Sequence, residues 1–227
     1  AETRCELIAW MDSDDVALPK RLARQVAEFD ARPDLVCLGS AVQTIDPEGL
    51  KISIEKFPLD NEGIVRQQQS GGAMRFPSVM MRSQAARTAG GFRMPFVIGE
   101  DFDLFLRLSE IGSMGNLAEP LLRYREHERS ASATLEPVWK TARDLALNLA
   151  AQRRGGRQDA LQRGEPVLMP QAVPRPVPAA DLMAVHVRWA RRAIDSRNIR
   201  TAWKHVLAAL ATAPLNPVVW RALLRIT

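Results

Sequence analysis

Short apolar runs alternate with amphipathic segments through the first half of the chain. The run CELIAWM (5–11) ends in an Asp-Ser-Asp-Asp loop and is typical of a strand buried on both faces. The next segment, LPKRLARQVAEFDARP, has Pro19 near its start. Its apolar residues Leu22, Val26 and Phe29 recur at the spacing of an amphipathic helix. This alternation predicts an α/β sheet rather than a helical bundle.

The same alternation continues to about residue 154. DPEG (46–49) predicts a turn, and SGGAMRFP predicts a loop with an exposed backbone. SMGNL and PLLRYREH predict one or two edge strands. The other predicted elements are strands at 34–46, LKISI and SVMMR, and helices at 60–69, SQAARTAGGF, GEDFDLFLRLSEIG and about 134–154.

The composition changes after this last helix. Residues 153–181 are rich in Pro, Gly and Arg and show no periodicity, which is typical of a linker. Beyond it, two or three amphipathic helices resemble a tetratricopeptide-type hairpin, in which His186 and His205 are expected to pack or face solvent. One such unit cannot bury its own face, so it should pack on the main domain or a partner. The predicted units are a domain at 1–152, a linker at 153–180 and a helical tail at 181–227.

Bulk composition excludes several classes of protein. The chain has 227 residues, 46% of them hydrophobic, which suffices for one substantial core. Its net charge of +5 is mild and suits an anionic partner. The chain has two cysteines, Cys5 and Cys37, so a zinc site or a disulfide framework is not expected. Both thiols are expected to be reduced and buried. No apolar run approaches ~18 residues. A cytoplasmic protein is predicted, with peripheral contact at the inner face of the cell membrane left open.

Three carboxylates, Asp12, Asp14 and Asp15, follow the first predicted strand. One of them could cap the next helix, but three like charges this close repel unless a cation or several donors compensate. In an open α/β sheet, ligands bind beyond the carboxyl ends of strands, where this loop would lie. Hard oxygen ligands suit Mg²⁺ or Mn²⁺ shared with a diphosphate. A short Asp-X-Asp pattern by itself leaves both interpretations open.

A second acidic pair, Glu100 and Asp101, opens the predicted helix GEDFDLFLRLSEIG. Acidic residues in a first helical turn stabilise the helix by up to about 1 kcal/mol through the helix dipole. Alternatively, such a carboxylate could act as a general base toward a hydroxyl group. The pair alone does not decide between these roles.

Four segments in order, IAWMDSDDVALPKRLARQV, FPSVMMRSQAARTAGGF, GEDFDLFLRLSEIG and EPLLRYREHERSAS, resemble bacterial family 2 glycosyltransferases of the GT-A fold. The resemblance covers about residues 5–133. It implies a partial GT-A, Rossmann-like mixed sheet flanked by helices, followed by the α-helical hairpin tail. Family members carry two or three preceding strand–helix units that bind the nucleotide base. The chain is therefore expected to be N-terminally truncated and not fully active alone.

The resemblance also implies site residues. Asp14 would be the main metal contact, with Asp12 and Asp15 assisting at the metal or ribose, and His127 would help to hold the metal or the diphosphate. Asp101 would be the general base, with Glu100 as a weaker candidate. Further donor-binding candidates, at the diphosphate or the donor sugar, are Arg125, Arg129, Ser130 and Gly72, the last of these in the loop Gly71–Ser78.

The implied reaction moves a sugar from a nucleotide-diphosphate sugar to the hydroxyl of a glycan or lipid-linked acceptor. A base on the face opposite the leaving group predicts inversion, with Mn²⁺ or Mg²⁺ as cofactor. The product would be a polysaccharide or a cell-envelope glycan. The tail helices could contact a membrane surface or a protein partner, and no nucleic acid is expected.

Two rival functions stay open at this stage. The chain could be a helical interaction or scaffold protein without catalysis, whose acidic loops only cap helices. It could also be an acidic-loop phosphotransferase, although Val16 and Ala17 follow where that class carries a small hydroxyl residue. A nucleic-acid binder is disfavoured because no stripe of basic and aromatic residues accompanies the charge.

Overall fold

The computed structural model describes residues 4–128, 130, 135–170 and 178–226. Six strands form one sheet in the order β1-β5-β3-β6-β2, with β4 paired to β3. The pairing of β3 with β6 is parallel and the other pairings are antiparallel. The strands are β1 (Leu7–Ala9), β2 (Val16–Ala17), β3 (Leu35–Ile45), β4 (Lys51–Glu55), β5 (Met80–Arg82) and β6 (Ser113–Arg125).

Helices cover this sheet and continue into the tail. A 3₁₀ turn spans Phe76–Ser78. The helices are α1 (Arg21–Ala31), α2 (Asn61–Gln68), α3 (Ser83–Thr88), α4 (Glu100–Leu108), α5 (Glu136–Arg154), α6 (Ala179–Asp195), α7 (Ile199–Thr212) and α8 (Pro217–Leu223). The predicted α/β class, with a mixed sheet, flanking helices and a helical tail, is confirmed. Among the described residues, no helix is long and apolar enough to cross a membrane.

The first strand differs from the prediction. β1 forms an edge of the described sheet, pairs only with β5, and is partly exposed instead of buried on both faces. Cys5 is exposed, so the expectation of buried thiols holds only for Cys37. An apolar run signals a strand but does not reveal how many neighbours pair with it, and burial depends on those neighbours.

Helix α1 buries only one of the three apolar residues that predicted its inward face, Phe29. Leu22 and Val26 are 56% and 38% exposed, while Arg21, Gln25 and Phe29 point inward. The Arg21 guanidinium donates to the carbonyl oxygen of Trp10 at 2.5 Å, and Gln25 Nε2 donates to two further carbonyl oxygens at 2.9 Å. Polar side chains thus occupy buried positions of the helix, where their N–H groups satisfy backbone carbonyl oxygens.

Strand β6 is a second correction. SMGNL and PLLRYREH form one strand that lies between β3 and β2, not at an edge. The apparent gap between them is a bulge: Ser40 pairs with Leu117 but Val42 pairs with Leu122, so β6 uses three more residues than β3 here. Ala118 and Glu119 in the bulge are exposed, which gave the sequence its polar break.

The segment after α5, predicted to be a linker, packs on the domain where the structure describes it. The carboxylate of Asp159 is fully buried and accepts hydrogen bonds from Arg93, at 2.7 Å, and from Arg153. Arg93 also pairs with Asp103 of α4 at 2.5 Å. Nearby, Ala160 and Leu161 join the apolar cluster between α4 and α5. The domain limits given above stay a prediction.

The tail packs on β4 of the sheet. Trp189 of α6 lies against Ile52 of β4. Asn198 Nδ2 donates to the Ile52 carbonyl oxygen at 2.9 Å, and Thr201 Oγ1 donates to the Lys51 carbonyl oxygen at 2.8 Å. The three tail helices also share an apolar cluster of their own, centred on Ala190 and Val206.

We expect Asp159→Ala to lower the free energy of unfolding by about 3 kcal/mol, at the lower end of the cost of breaking a buried ion pair. The cost should not be higher, because neither arginine is left unpaired: Arg93 keeps its pair with Asp103, and Arg153 keeps its pair with Glu110. Urea denaturation measures the change. The matched control is Glu62→Ala, which breaks the exposed pair with Arg66 and should cost less than about 1 kcal/mol. Equal effects of the two variants would show that this segment does not stabilise the domain.

Candidate active site

The acidic loop between β1 and β2 is held in place by Arg125 at the end of β6. The backbone N–H of Arg125 donates to Asp15 Oδ1 at 2.8 Å, and its Nε donates to the Asp14 carbonyl oxygen at 2.9 Å. Its Nη1 donates to the carbonyl oxygens of Asp46 and Pro47. Arg125, predicted as a donor-binding residue, thus already uses its guanidinium to shape this loop.

The capping interpretation of the acidic loop is not supported. Helix α1 begins after Lys20, and no side chain caps its first turn. Asp12 and Asp14 are exposed, while Asp15 is 7% exposed. Its Oδ2 atom is buried and has no hydrogen-bond partner among the described residues. A buried carboxylate oxygen without a donor is costly, so the loop retains capacity to bind a positive group.

The loop carboxylates lie close enough together to contribute to the raised pKa values of Asp12 and Asp15. Burial raises the pKa of Asp15 to about 6, with the charges of Asp14 and Asp12 adding to the effect and the Arg125 N–H opposing it. Burial also raises the pKa of Asp12, helped by Asp14 and by Glu100. Negative charge therefore accumulates on this side of the cleft at neutral pH, as it does in cation sites before the cation binds.

His127 lies beside the loop because it follows β6 by two residues. Its Nε2 atom is 3.2 Å from Asp14 Oδ2, and both side chains remain partly exposed, at 32% and 40%. An imidazole and a carboxylate are ligands that Mn²⁺ accepts, and Mg²⁺ is commonly held by one or two carboxylates together with substrate phosphates. Within the described part of the chain, no three His, Cys, Asp or Glu side chains form a complete metal site. The residues fit a shared site that substrate oxygens would complete.

Asp101 occupies the first turn of α4, across the cleft from the acidic loop. Gly99 precedes the helix with φ 75°, a conformation that favours glycine. The backbone N–H of Phe102 donates to Asp101 Oδ1 at 2.8 Å. Burial, and then the charge of Glu100, raises the pKa of Asp101 to about 6, against the lowering effect of that N–H and of Arg75. A carboxylate with a pKa near neutrality suits general base catalysis.

These segments converge on one cleft of about 1020 Å³. Asp15 lies behind its wall, and Gly72 lines a neighbouring cavity of about 260 Å³ that also contacts Asp101. Arg129 lies outside the described residues. The predicted residues that line the cleft are Asp12, Asp14, Glu100, Asp101, Arg125, His127 and Ser130.

Arg75 is a site residue that the sequence analysis missed. Its Nη2 atom donates to both carboxylate oxygens of Glu55 at 2.7 Å, and its guanidinium lies 4.5 Å from the centre of the Tyr124 ring. It lines the cleft and lowers the pKa values of Asp101 and Asp15 through its charge. Arg75 is the one basic residue of the loop GGAMRFPS, for which the sequence predicted only an exposed backbone.

Aromatic rings form another wall of the cleft. Trp10 lies 4.8 Å from Phe76 and 5.3 Å from Phe92, measured between ring centroids. Trp139 of α5 completes the cleft on the side of Asp101, 6.3 Å from Phe102. Aromatic faces beside carboxylates are suited to binding a sugar ring, whose C–H groups are apolar and whose hydroxyl groups are not.

Comparisons with known proteins match parts of this chain to glycosyltransferases. Residues 1–88 match the model of Glycosyl transferase family 2. The chain is 35% identical over 147 residues to the O-antigen biosynthesis glycosyltransferase WbnJ of Escherichia coli, covering 63% of this chain and 57% of that protein. It is 30% identical over 125 residues to the amylovoran biosynthesis glycosyltransferase AmsE of Erwinia amylovora, covering 54% and 46%.

A third relative, the putative glycosyltransferase EpsE of Bacillus subtilis (strain 168), is 32% identical, with 53% of this chain and 44% of that protein aligned. The chain therefore spans about half the length of the curated relatives it matches. Its mixed sheet with helices on both sides is consistent with a GT-A-like fold. The family match over residues 1–88 and these relatives together support a family 2 glycosyltransferase.

Proposed function

We propose that the protein containing this chain transfers a sugar from a nucleotide-diphosphate sugar to an acceptor hydroxyl, with inversion at the anomeric carbon. The observation that carries the proposal is the meeting of the Asp14–His127 pair and Asp101 in one cleft, although they come from three distant segments. The relatives named for O-antigen and amylovoran biosynthesis support a polysaccharide or cell-envelope glycan as the product, built on a glycan or lipid-linked acceptor.

In this mechanism the acidic loop binds the diphosphate end of the donor. Asp14 and His127, with Asp12 nearby, would hold Mn²⁺ or Mg²⁺, which neutralises charge that develops on the departing diphosphate. Arg125 keeps the loop in place through its bonds to Asp14 and Asp15. Such an arrangement stabilises the transition state more than the bound substrate, because the negative charge grows only as the glycosidic bond breaks.

Asp101 acts on the other substrate. As its carboxylate accepts the proton of the acceptor hydroxyl, the oxygen attacks the anomeric carbon from the face opposite the diphosphate. One displacement of this kind inverts the configuration at that carbon. Glu100 next to it raises the proton affinity of Asp101, which makes Asp101 a stronger base than an isolated aspartate.

We expect Asp101→Asn to lower kcat at least about 100-fold, because general base catalysis contributes roughly that factor or more. Radiolabelled sugar transfer by the intact protein, screened over donors, measures it. Glu100→Gln is the matched control and should lose less than about tenfold, since it only lowers the proton affinity of its neighbour. Retention of activity within a few-fold by Asp101→Asn would refute the base assignment.

The pH profile should show the ionisation of Asp101. The base works only as a carboxylate and its pKa is raised to about 6, so kcat/KM should rise with pH through about 6 and level off above it. Asp15 has a pKa in the same range, so the Asp15→Asn variant separates the two groups. If that variant loses the acidic limb of the profile, the limb belongs to Asp15 and not to Asp101.

Asp14→Ala should weaken Mn²⁺ binding by at least about tenfold, because it removes one of few protein ligands. Electron paramagnetic resonance of Mn²⁺ added to the intact protein measures the free and bound ion. Asp30→Ala, at an exposed position on α1, is the control for nonspecific binding to surface carboxylates. Equal Mn²⁺ binding by the two variants would contradict the metal assignment.

A further inference from the structure

Glu126 lies between two residues of the candidate active site. Arg125, which holds the acidic loop, precedes it, and His127, the neighbour of Asp14, follows it. The Glu126 backbone N–H donates to the Ile45 carbonyl oxygen at 3.0 Å, so its main chain is fixed to β3. Strand β6 ends at Arg125, and the side chain of Glu126 contacts the tail.

Two residues of helix α6 bind the Glu126 carboxylate. Trp189 Nε1 donates to Oε2 at 2.7 Å, and Arg192 Nη1 donates to Oε1 and Oε2 at 2.7 and 2.8 Å. Both donors are themselves anchored. Trp189 is 2% exposed against β4, and Arg192 Nη2 donates to Thr44 Oγ1 and Ser53 Oγ at 2.9 Å. The carboxylate is therefore held by a rigid part of the tail–sheet interface.

A second connection from the tail reaches the same region through Asp46. Lys204 Nζ of α7 lies 2.5 Å from Asp46 Oδ2. Asp46 Oδ1 accepts from the Leu50 N–H at 2.8 Å and so fixes the turn after β3. The carbonyl oxygen of Asp46 accepts a hydrogen bond from Nη1 of Arg125. The Nε atom of Arg125 donates to the carbonyl oxygen of Asp14. Tail contacts thus reach Arg125 from two sides.

We infer that the C-terminal helices position the candidate active site: Trp189 and Arg192 hold Glu126 and thereby set His127 against Asp14. The inference rests on the proposed function for the role of His127 but not for the contacts. With the tail docked, the segment is held on each side of His127. Before it, the Glu126 carboxylate is bound by α6, and after it, the Ser130 backbone N–H donates to the His127 carbonyl oxygen at 3.2 Å. Without the tail, Glu126 would lose three hydrogen bonds, from two donor atoms, and turn toward water.

The test uses three variants of the intact protein. Trp189→Phe removes one hydrogen bond to Glu126 and keeps an aromatic ring, while Arg192→Met removes the guanidinium and keeps much of its length. Thr201→Val is the matched control, because it removes a tail–sheet hydrogen bond that does not involve Glu126. The first readout is hydrogen exchange of the Arg125 and Glu126 amides, both of which are hydrogen-bonded. The second is Mn²⁺ binding followed by electron paramagnetic resonance, with Asp14→Ala as the blank.

Trp189→Phe and Arg192→Met should each speed exchange of the two amides by about tenfold, since each loses a hydrogen bond to a charged group. Both should weaken Mn²⁺ binding by about tenfold, the effect typical of groups that orient a metal ligand. Thr201→Val should change both quantities less than about twofold.

Unchanged exchange in folded Trp189→Phe and Arg192→Met protein would overturn the inference. An equal effect of Thr201→Val would overturn it too, because it would show that any loss of tail–sheet contact has the same result. Faster exchange with unchanged Mn²⁺ binding would overturn the link to His127. If the wild-type protein binds no more Mn²⁺ than Asp14→Ala, the metal assignment of the proposed function fails, and the exchange data alone decide whether the tail positions this segment.

Discussion

The hydrogen bonds of Arg125 are the constraint on which the candidate active site depends. One residue connects the end of the central strand β6, the acidic loop after β1 and the turn after β3. Each of these segments would expose unpaired carbonyl groups or repelling carboxylates by itself. Joined through the guanidinium and the backbone N–H of Arg125, these segments form one wall of a cleft. The parallel pairing of β3 with β6 places Arg125 opposite Ile45, next to the turn after β3.

Asp14 and Asp101 line the same cleft in different surroundings. Asp14 remains exposed next to His127, whose Nε2 atom is 3.2 Å from its Oδ2 atom. Asp101 is enclosed by α4, the loop of Arg75 and Trp139, where desolvation raises its proton affinity. The residue type is the same, so the difference between an exposed carboxylate beside an imidazole and an enclosed one with a raised pKa comes from their environments.

Much of the architecture could be predicted from local patterns. The strand at 34–46, the turn at 46–49 and the helices that begin near Asn61 and Glu100 lie where the periodicity placed them, because each element has a clear apolar face or a turn residue such as Gly49 at positive φ. The sequence also brings three aspartates within four positions, and their mutual repulsion contributes to the raised pKa values of Asp12 and Asp15. The resemblance to family 2 enzymes supplied the roles of Asp101 and His127.

The rest depended on tertiary contacts that no local pattern contains. Arg21 and Gln25 are buried because distant carbonyl groups need donors, which reverses the face that Leu22 and Val26 suggested. Arg75 belongs to the site because Glu55 of β4 and the ring of Tyr124 hold it there. The buried Asp159 lies in a stretch rich in polar and basic residues, where only its pairing with Arg93 and Arg153 explains its position.

The bulge in β6 determines which side chain arrives at the end of the sheet. Before the bulge, Ser40 pairs with Leu117; had that register continued, Ile45 would lie opposite Leu122, an apolar residue. The three additional residues bring Arg125 opposite Ile45 instead and carry His127 to the mouth of the cleft. Ala118 and Glu119 face solvent and do not line the cleft, yet they act as a spacer. The number of residues in this stretch, more than their identity, determines where the Arg125 guanidinium and the His127 imidazole contact the acidic loop.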